Sequence, residues 1–318
     1  MALDYNYIDS YIKDVYIPKM VDNILDSNPV VMRLLRKAKK QVGGRYIFQP
    51  VWYAKNTSGG SYGRWDVASI NYEEKTTLAK FDWRYVRKFI TLDNIDVLEN
   101  SGAGEVVDIL DTELMIAKQS FKDDLGTMIF SDGTGNSNKD MLGLKAAIDD
   151  GTLVDTYGSI TRSTDTFWKA NVDLNGSTDR ALTIKLMQSM MGDCRVGVDS
   201  GDSPTLLVTT QAIFEKACEI LDATRVRDDS DIGKAGFEQI YFLGKPLTVD
   251  SHCDTGYLYF INENHVRGVV NPNEFFKYVP FAKRVDQESM VAKIRLAANL
   301  ICDECRKSGV IRYIDADL

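Results

Sequence analysis

The stretch 104-GEVVDILDTELMIAKQSFKDDLGTMIF-130 decides the fold. Val107, Leu110, Leu114, Ala117, Phe121, Leu125 and Met128 recur at spacings of three and four, so on a helix they form one unbroken apolar stripe. At 1.5 Å per residue, a helix over 104–130 runs roughly 40 Å. Gly102 and Gly104 lead into it, and Ser131-Asp-Gly-Thr-Gly135 ends it. A helix this long with a single buried stripe is a backbone against which other elements pack.

Upstream, the periodicity changes from three-and-four to two. After Gly43-Gly44, the run Arg45-Tyr-Ile-Phe-Gln-Pro-Val-Trp-Tyr53 is rich in aromatic and β-branched residues and predicts a strand. A polar, glycine-rich tip spans 56–63, and strand patterns return over 65–70 and 76–90. The excursion from Tyr46 to Ile90 cannot bury both of its faces on its own body. It predicts a surface element that meets a neighbour, with Trp52, Tyr53, Tyr62, Arg64 and Trp65 as contact candidates.

Before the excursion, Pro18 opens a short helix over 19–26, and Asn28-Pro29 reads as a cap and first-turn proline for a helix over 30–40. Val31, Leu34, Leu35 and Ala38 form its apolar stripe, and Arg33, Arg36, Lys37, Lys39 and Lys40 occupy much of the rest. Such a basic face is either simply solvated or an arm lying on an acidic neighbour or on enclosed DNA. Both readings stay open, with Arg33, Arg36 and Lys37 as contact candidates.

Downstream, 150–178 is polar and irregular, and 180–192 predicts a helix with Leu182, Leu186, Met190 and Met191 inward. A buried strand over 205–209, a helix over 210–221 and an acidic loop over 225–233 follow. Strands are expected over 239–243, 245–249 and 257–262, with Pro246 marking a sheet edge. In the strand-like segment 271–314, Ile294, Leu296, Ala298, Leu300 and Cys302 alternate with Lys293, Arg295, Ala297 and Asn299, giving a long strand with one more apolar face. No internal repeat is present, and the class is α+β.

Composition narrows the function. The chain has 318 residues, enough for one elaborate domain or two, with 44% hydrophobic and 26% charged residues as in globular proteins. Met1 is followed by neither a secretory signal nor, anywhere, an apolar run long enough to span a bilayer, so cytoplasmic synthesis and no membrane are expected. Five scattered cysteines read as reduced thiols. The net charge of −8 disfavours a protein that coats a polyanion, and suits a surface that does not stick to nucleic acid.

Each catalytic or ligand motif fails on its context. Gly59-Gly-Ser61-Tyr-Gly63 matches the G-x-S-x-G of a hydrolase, but that motif needs a helix directly after the serine, and 64–70 reads as strand. Cys302-Asp-Glu-Cys305 with His252-Cys253 could suggest zinc, but residues three apart on a strand diverge unless a turn intervenes, and no second pair has suitable spacing. Asp229, Asp231 and Gly233 lack calcium-loop spacing, and Ile240 stands where the bidentate glutamate belongs. Gly133 and Gly135 follow a helix rather than open one, and Gly244-Lys245 runs into Pro246, so neither nucleotide motif is complete. No catalytic residue, cofactor or metal is expected, and the only histidines are His252 and His265.

The order of elements, a short arm, a long β excursion, a spine helix, a mixed lobe and a final long strand, resembles the major capsid proteins of tailed bacteriophages, with their Hong Kong 97-type fold. The resemblance runs from about Asp14 onward and is closest at Pro204-Thr-Leu-Leu-Val-Thr-Thr-Gln-Ala-Ile-Phe214, Gly236-Phe-Glu-Gln-Ile-Tyr-Phe-Leu-Gly-Lys-Pro-Leu-Thr-Val-Asp250 and 290–309. It implies an N-terminal arm over 1–45, an E-loop over 46–95 that reaches over an adjacent subunit, a peripheral domain over 96–149 and 270–318 that includes the spine helix 104–130, and an axial domain over 150–269. It also implies self-assembly as hexamers and pentamers into an icosahedral shell, the virion capsid, around double-stranded DNA bound without sequence specificity. Synthesis in the host bacterial cytoplasm, a portal protein and an optional decoration protein go with that reading. The arm starts almost at once, with no scaffolding leader, so a separate scaffolding protein is implied. Some members form Lys–Asn cross-links; Lys55 and Lys75 lie in the excursion, but no partner asparagine matches. The same fold forms encapsulin compartments, the near alternative, and a serine hydrolase using Ser61 is the distant one.

Overall fold

The structure, a computed structural model, describes residues 20, 29–67, 72–93, 103–196, 202–221, 239–283 and 289–318. Helix α1 (Pro29–Arg36) starts on a proline whose fixed φ suits a first turn, and it buries Val30, Val31, Leu34 and Leu35. The sequence predicts a helix to residue 40, but the chain turns at Lys37 and Lys39–Lys40 form strand β1, drawn out of the helix by parallel pairing with Val269 and Val270. Strands β2 (Tyr46–Trp52) and β3 (Thr76–Asp82) pair antiparallel from Tyr46↔Asp82 to Trp52↔Thr76. Strict alternation puts Ile47, Val51, Ala79 and Phe81 inward and Phe48, Trp52 and Leu78 outward.

One strand is expected over 76–90, but two are found. Trp83 is buried and its Nε1 donates to the Gly44 carbonyl at 2.9 Å, so the chain changes partners there and continues as β4 (Arg84–Asp93) in another sheet. Helix α2 (Ala103–Phe130) is the expected spine, with Leu114, Ala117, Phe121, Leu125 and Ile129 buried. The side chains of Val107 and Leu110 lie outside the described residues.

The region expected to be irregular holds a dense polar and aromatic core. Strands β5 (Thr156–Tyr157) and β6 (Ile160–Thr161) close through Gly158 and Ser159, at φ 61° and 63°. This left-handed two-residue turn favours glycine. A Cβ on Gly158 would also stand 2.7 Å from the Phe81 ring, so the hairpin base docks closely there, with the Lys80 amide donating to the Gly158 carbonyl at 2.8 Å. Trp168, fully buried, donates to the Tyr157 carbonyl, and buried Arg162 donates to the carbonyls of Ala146, Ala147, Val154 and Trp168. Asp149 accepts from the amides of Gly151, Leu153 and Val154 and from Arg312 at 2.7 Å. Burial alone would raise its pKa, but these donors hold the carboxyl below its ordinary value.

Strands β7 (Asn171–Asp173) and β8 (Arg180–Ala181) precede helix α3 (Ile184–Asp193), whose N-cap Thr183 accepts from the Leu186 amide. The expected helix start at 180 is thus moved, because Arg180 and Ala181 pair as strand. Then come β9 (Leu206–Thr209), α4 (Gln211–Ile220), β10 (Gln239–Phe242), β11 (Lys245–Val249), β12 (Leu258–Ile261), β13 (Val266–Val270), β14 (Lys277–Lys283), β15 (Ser289–Cys302), β16 (Gly309–Ile311) and β17 (Ile314–Asp315). The helix expected over 19–26 and the acidic loop over 225–233 lie outside the described residues, Met20 excepted.

Two sheets organise these elements. The first runs β1-β13-β15-β14, with β4 on the other side of β15; the second runs β10-β11-β9-β12-β16-β7. One expectation is corrected. β11 is internal rather than an edge, and its pairing with β9 begins only at Leu247, so Pro246, which has no N–H, sits beyond that ladder. Along 270–318, β14 and β15 lie in the first sheet, and β16 enters the second between β12 and β7.

Both histidines sit where these parts meet. His265 places Nδ1 2.6 Å from Asp303 and Nε2 2.6 Å from Asp202, and Lys307 and Arg267 pair with the same two carboxylates. His252, after β11, reaches Asp123 of α2 at 3.0 Å and Asp250 at 3.4 Å. Burial works against the charge of His265, but the bonds to Asp303 and Asp202 outweigh it and raise its pKa above 6.5.

Two outcomes follow from this packing. A Cβ on Gly143 would stand 2.5 Å from the carbonyl oxygens of Met128, Ile129 and Ser131; Gly143→Ala should lower stability by roughly 1–3 kcal/mol in urea unfolding. A raised folded-state histidine pKa contributes stability that is full below about 6.5 and is lost as pH rises through the folded value. The melting temperature should therefore fall as pH rises above 6.5, and His265→Gln should flatten that slope.

Candidate intersubunit surface

The outward face of β2–β3 and the tip beyond it form an apolar surface without cover from the described residues. Trp65 is 91% and Tyr62 89% exposed, and Trp52, Val67, Tyr72, Phe48 and Leu78 are exposed with them. Lone exposed apolar residues need no explanation, but a contiguous set on one projecting element marks an interaction site. Among the described residues no third strand pairs with β2 or β3, and the outer edge of β3 is met only at its base, where Lys80 bonds to Gly158 and Ser159 and Asp82 to Asn299.

The tip is braced internally. Thr57 donates to Glu73 through its amide and its hydroxyl, and Lys75 donates to Asn56 Oδ1 at 2.7 Å and pairs with Glu73 at 3.5 Å. The bond from the Thr57 hydroxyl, more than any other contact, holds the Glu73 carboxyl below its ordinary value. Lys75 is thus engaged inside its own loop, and its one asparagine neighbour is Asn56 of that same loop.

The contact candidates read from the sequence divide. Trp52, Tyr62, Arg64 and Trp65 lie exposed on the excursion. Tyr53 has the same parity as inward-facing Ile47, Gln49 and Val51, so it turns inward, half-buried, and stacks on Phe167 with ring centroids 4.9 Å apart. Arg33 is only 8% exposed and pairs at 2.9 Å with Glu263, which also accepts from Thr205, so it ties α1 to the β12–β13 connection. Lys37 is exposed at the end of α1, and the side chain of Arg36 lies outside the described residues.

The rejected motifs stay apart from any site. Ser61 is exposed on a loop followed by a turn at Arg64 and Trp65, not by a helix; residues 65–67 are not the expected strand, since Trp65 has φ 79°, and 68–70 lie outside the described residues. Cys302 and Cys305 do not sit on one strand: β15 ends at Cys302, the chain bends at Asp303, and Cys305 opens a short helical turn, with both thiols buried. Burial above all raises the Cys302 pKa. Among the described residues no group of three or more potential metal ligands converges, and no helix is long and apolar enough to cross a membrane.

Sequence reasoning missed a second exposed set on β4, where Tyr85, Arg87 and Phe89 face outward while Val86, Ile90 and Leu92 are buried. Their alternation was legible in Tyr85-Val-Arg-Lys-Phe-Ile-Thr-Leu92. Exposure also divides the four tryptophans: Trp52 and Trp65 are open, Trp83 and Trp168 buried. In the isolated subunit, iodide should quench emission from the first pair only, and the double variant Trp52→Phe/Trp65→Phe should lose the quenchable component.

No protein-family model matches the chain, and no curated protein matches it in sequence. Solved structures do match in fold. A cyanophage A-1(L) capsid asymmetric unit superposes with a TM-score of 0.70 at 17% identity, over 90% of this chain and 92% of that one. The holo-SrpI encapsulin complex from Synechococcus elongatus PCC 7942 gives 0.56 at 13%, over 89% and 88%. The capsid of an empty GTA particle gives 0.56 at 10%, over 89% and 90%. Nearly the whole chain is matched each time, so the chain has the Hong Kong 97-type fold of phage capsid and encapsulin shell subunits.

Proposed function

We propose that this chain is the major capsid protein of a tailed bacteriophage, a structural subunit that assembles with its own copies into the shell around a double-stranded DNA genome. The observation that carries the reading is the β2–β3 excursion: a two-stranded arm with exposed aromatic side chains, on a body with the shell-subunit fold. A two-stranded hairpin is marginal alone and gains order by lying on a neighbour. In this reading the hairpin is the E-loop, α2 and the five-stranded sheet form the peripheral domain, and the six-stranded sheet forms the axial domain at the centres of hexamers and pentamers. The role is non-enzymatic, and the location is the virion capsid after synthesis in the host cytoplasm. Scaffolding, portal and decoration proteins are the partners such a shell uses.

The match to an encapsulin complex favours a second reading, a protein-filled compartment. Purified particles separate the two: nucleic acid inside supports the capsid, an enclosed enzyme the compartment. Deleting residues 56–63 should leave a soluble subunit with an unchanged melting temperature, because none of the tip residues is buried. The same deletion should abolish shells in electron micrographs; normal shells from the deleted chain would sink the proposal.

A further inference from the structure

A row of like charges crosses the first sheet. On the face turned away from α2, Arg87 of β4 lies opposite Arg295 of β15, which lies opposite Lys277 of β14. One step along, Phe89 lies opposite Lys293, which lies opposite Val279. Neighbouring strands are about 4.8 Å apart, so three cations stand within roughly 10 Å across the strands. Like charges directly opposite one another destabilise a sheet.

The fold offsets only part of this. Glu274 accepts from Arg295 at 3.0 Å and from Lys277 at 3.1 Å. Arg87 instead holds its guanidinium 5.3 Å from the Phe89 ring centroid, and among the described residues no carboxylate pairs with Arg87 or Lys293. Tyr85 and Phe89 on the same face are 71% and 51% exposed. A recess of about 800 Å³ opens beside the row, where Arg87, Lys139 and Arg295 are balanced by Asp124, Asp140 and Glu274, so the uncompensated charge lies on the open sheet face at Arg87 and Lys293 and not in the recess. The fold therefore keeps an unfavourable charge row and two open aromatics side by side, in a chain whose net charge is −8.

We infer that this sheet face, centred on Arg87, Lys293 and Phe89, is a docking surface for a carboxylate-bearing surface of a second copy of the chain. The inference rests on the shell reading above and names a receiving surface for it. Charge complementarity points to a copy, because acidic residues outnumber basic ones 46 to 38. The aromatics point to protein rather than nucleic acid: burying Tyr85 and Phe89 needs apolar contact, which the outside of a phosphate backbone does not offer. Arginine beside aromatic rings is the composition of a protein interface core.

The test uses the full chain with Arg87→Glu, Lys293→Glu and the conservative Arg87→Lys. Reversing Arg87 within the row, or Lys293 one step beside it, relieves repulsion, so the glutamate variants should melt at or above the wild-type temperature as isolated subunits. Their shell yield, by sedimentation and electron microscopy, should nevertheless drop on the order of tenfold or more, as for loss of an interfacial charge pair. Arg87→Lys should assemble nearly as wild type. Stability and assembly moving in opposite directions is the signature that a purely structural role lacks. Normal shell yield from both glutamate variants overturns the inference, and if those shells hold less nucleic acid, the face binds nucleic acid instead. A lower melting temperature in both variants also overturns it. Failure of the wild type to form any particle overturns the shell reading itself, and this inference with it.

Discussion

Two-sided pairing along β15 is the constraint on which the rest of the structure depends. Over Ser289–Ala298 one edge of the strand bonds to β4, while the other bonds first to β14 and then, from Ala298 to Cys302, to β13. A strand paired on both edges cannot slip by one residue without inverting every side chain, so Ile294 and Leu296 are fixed toward α2 and Lys293 and Arg295 toward solvent. Near the end of the apolar run, buried Asn299 accepts from the Leu142 amide at 3.0 Å and donates to the Asp82 carbonyl at 2.8 Å. One satisfied amide side chain thereby joins the loop after α2 to the base of the excursion. A buried polar group of this kind stabilises only when both ends are matched, and a change at either end leaves an unpaired partner.

The second sheet is bound to the first by charge as much as by apolar contact. The chain leaves β15 at Cys302, passes the Asp202–His265–Asp303–Lys307 cluster, and enters the second sheet as β16. Arg312, one residue beyond β16, reaches back to buried Asp149 and shares it with Arg162, 4.0 Å away. These pairs lie far apart in sequence, so neither sheet completes its core until the last thirty residues are in place. Two sheets interleaved along the chain and joined by buried ion pairs in this way are parts of one folding unit, rather than separately folding domains.

What the sequence made legible was whatever repeats along one element. The stripe of α2 and the alternation of β15 are properties of a single segment; the stripe stands from Leu114 onward and the alternation over Ala292–Leu296, while from Leu296 to Cys302 both faces of β15 are buried. Element partners were not legible. The break at Trp83 depends on a carbonyl 39 residues earlier, the internal position of β11 on its pairing with β10 on one side and β9 on the other, and the burial of Arg33 on Glu263, 230 residues away. The same holds for the surface: Trp52, Tyr62 and Trp65 stood out by residue type, whereas the row Arg87–Arg295–Lys277 exists only once three distant strands are in register.

The exposed aromatics set a physical limit on the subunit before it meets a partner. A buried aromatic side chain removes roughly 150–250 Å² from water, so Trp52, Tyr62, Trp65 and Tyr72 together represent a large unrealised stabilisation. Left open at high concentration, such a surface would drive irregular association. Three features oppose that outcome: the net charge of −8 keeps copies apart, the tip stays polar and glycine-rich, and Thr57, Glu73 and Lys75 hold its shape. Each contact made by the arm is then weak by itself, since ordering a marginal hairpin offsets much of what burial contributes. Weak contacts made many times over suit a closed shell, because a misplaced subunit can leave while a correctly placed one is held from several sides at once.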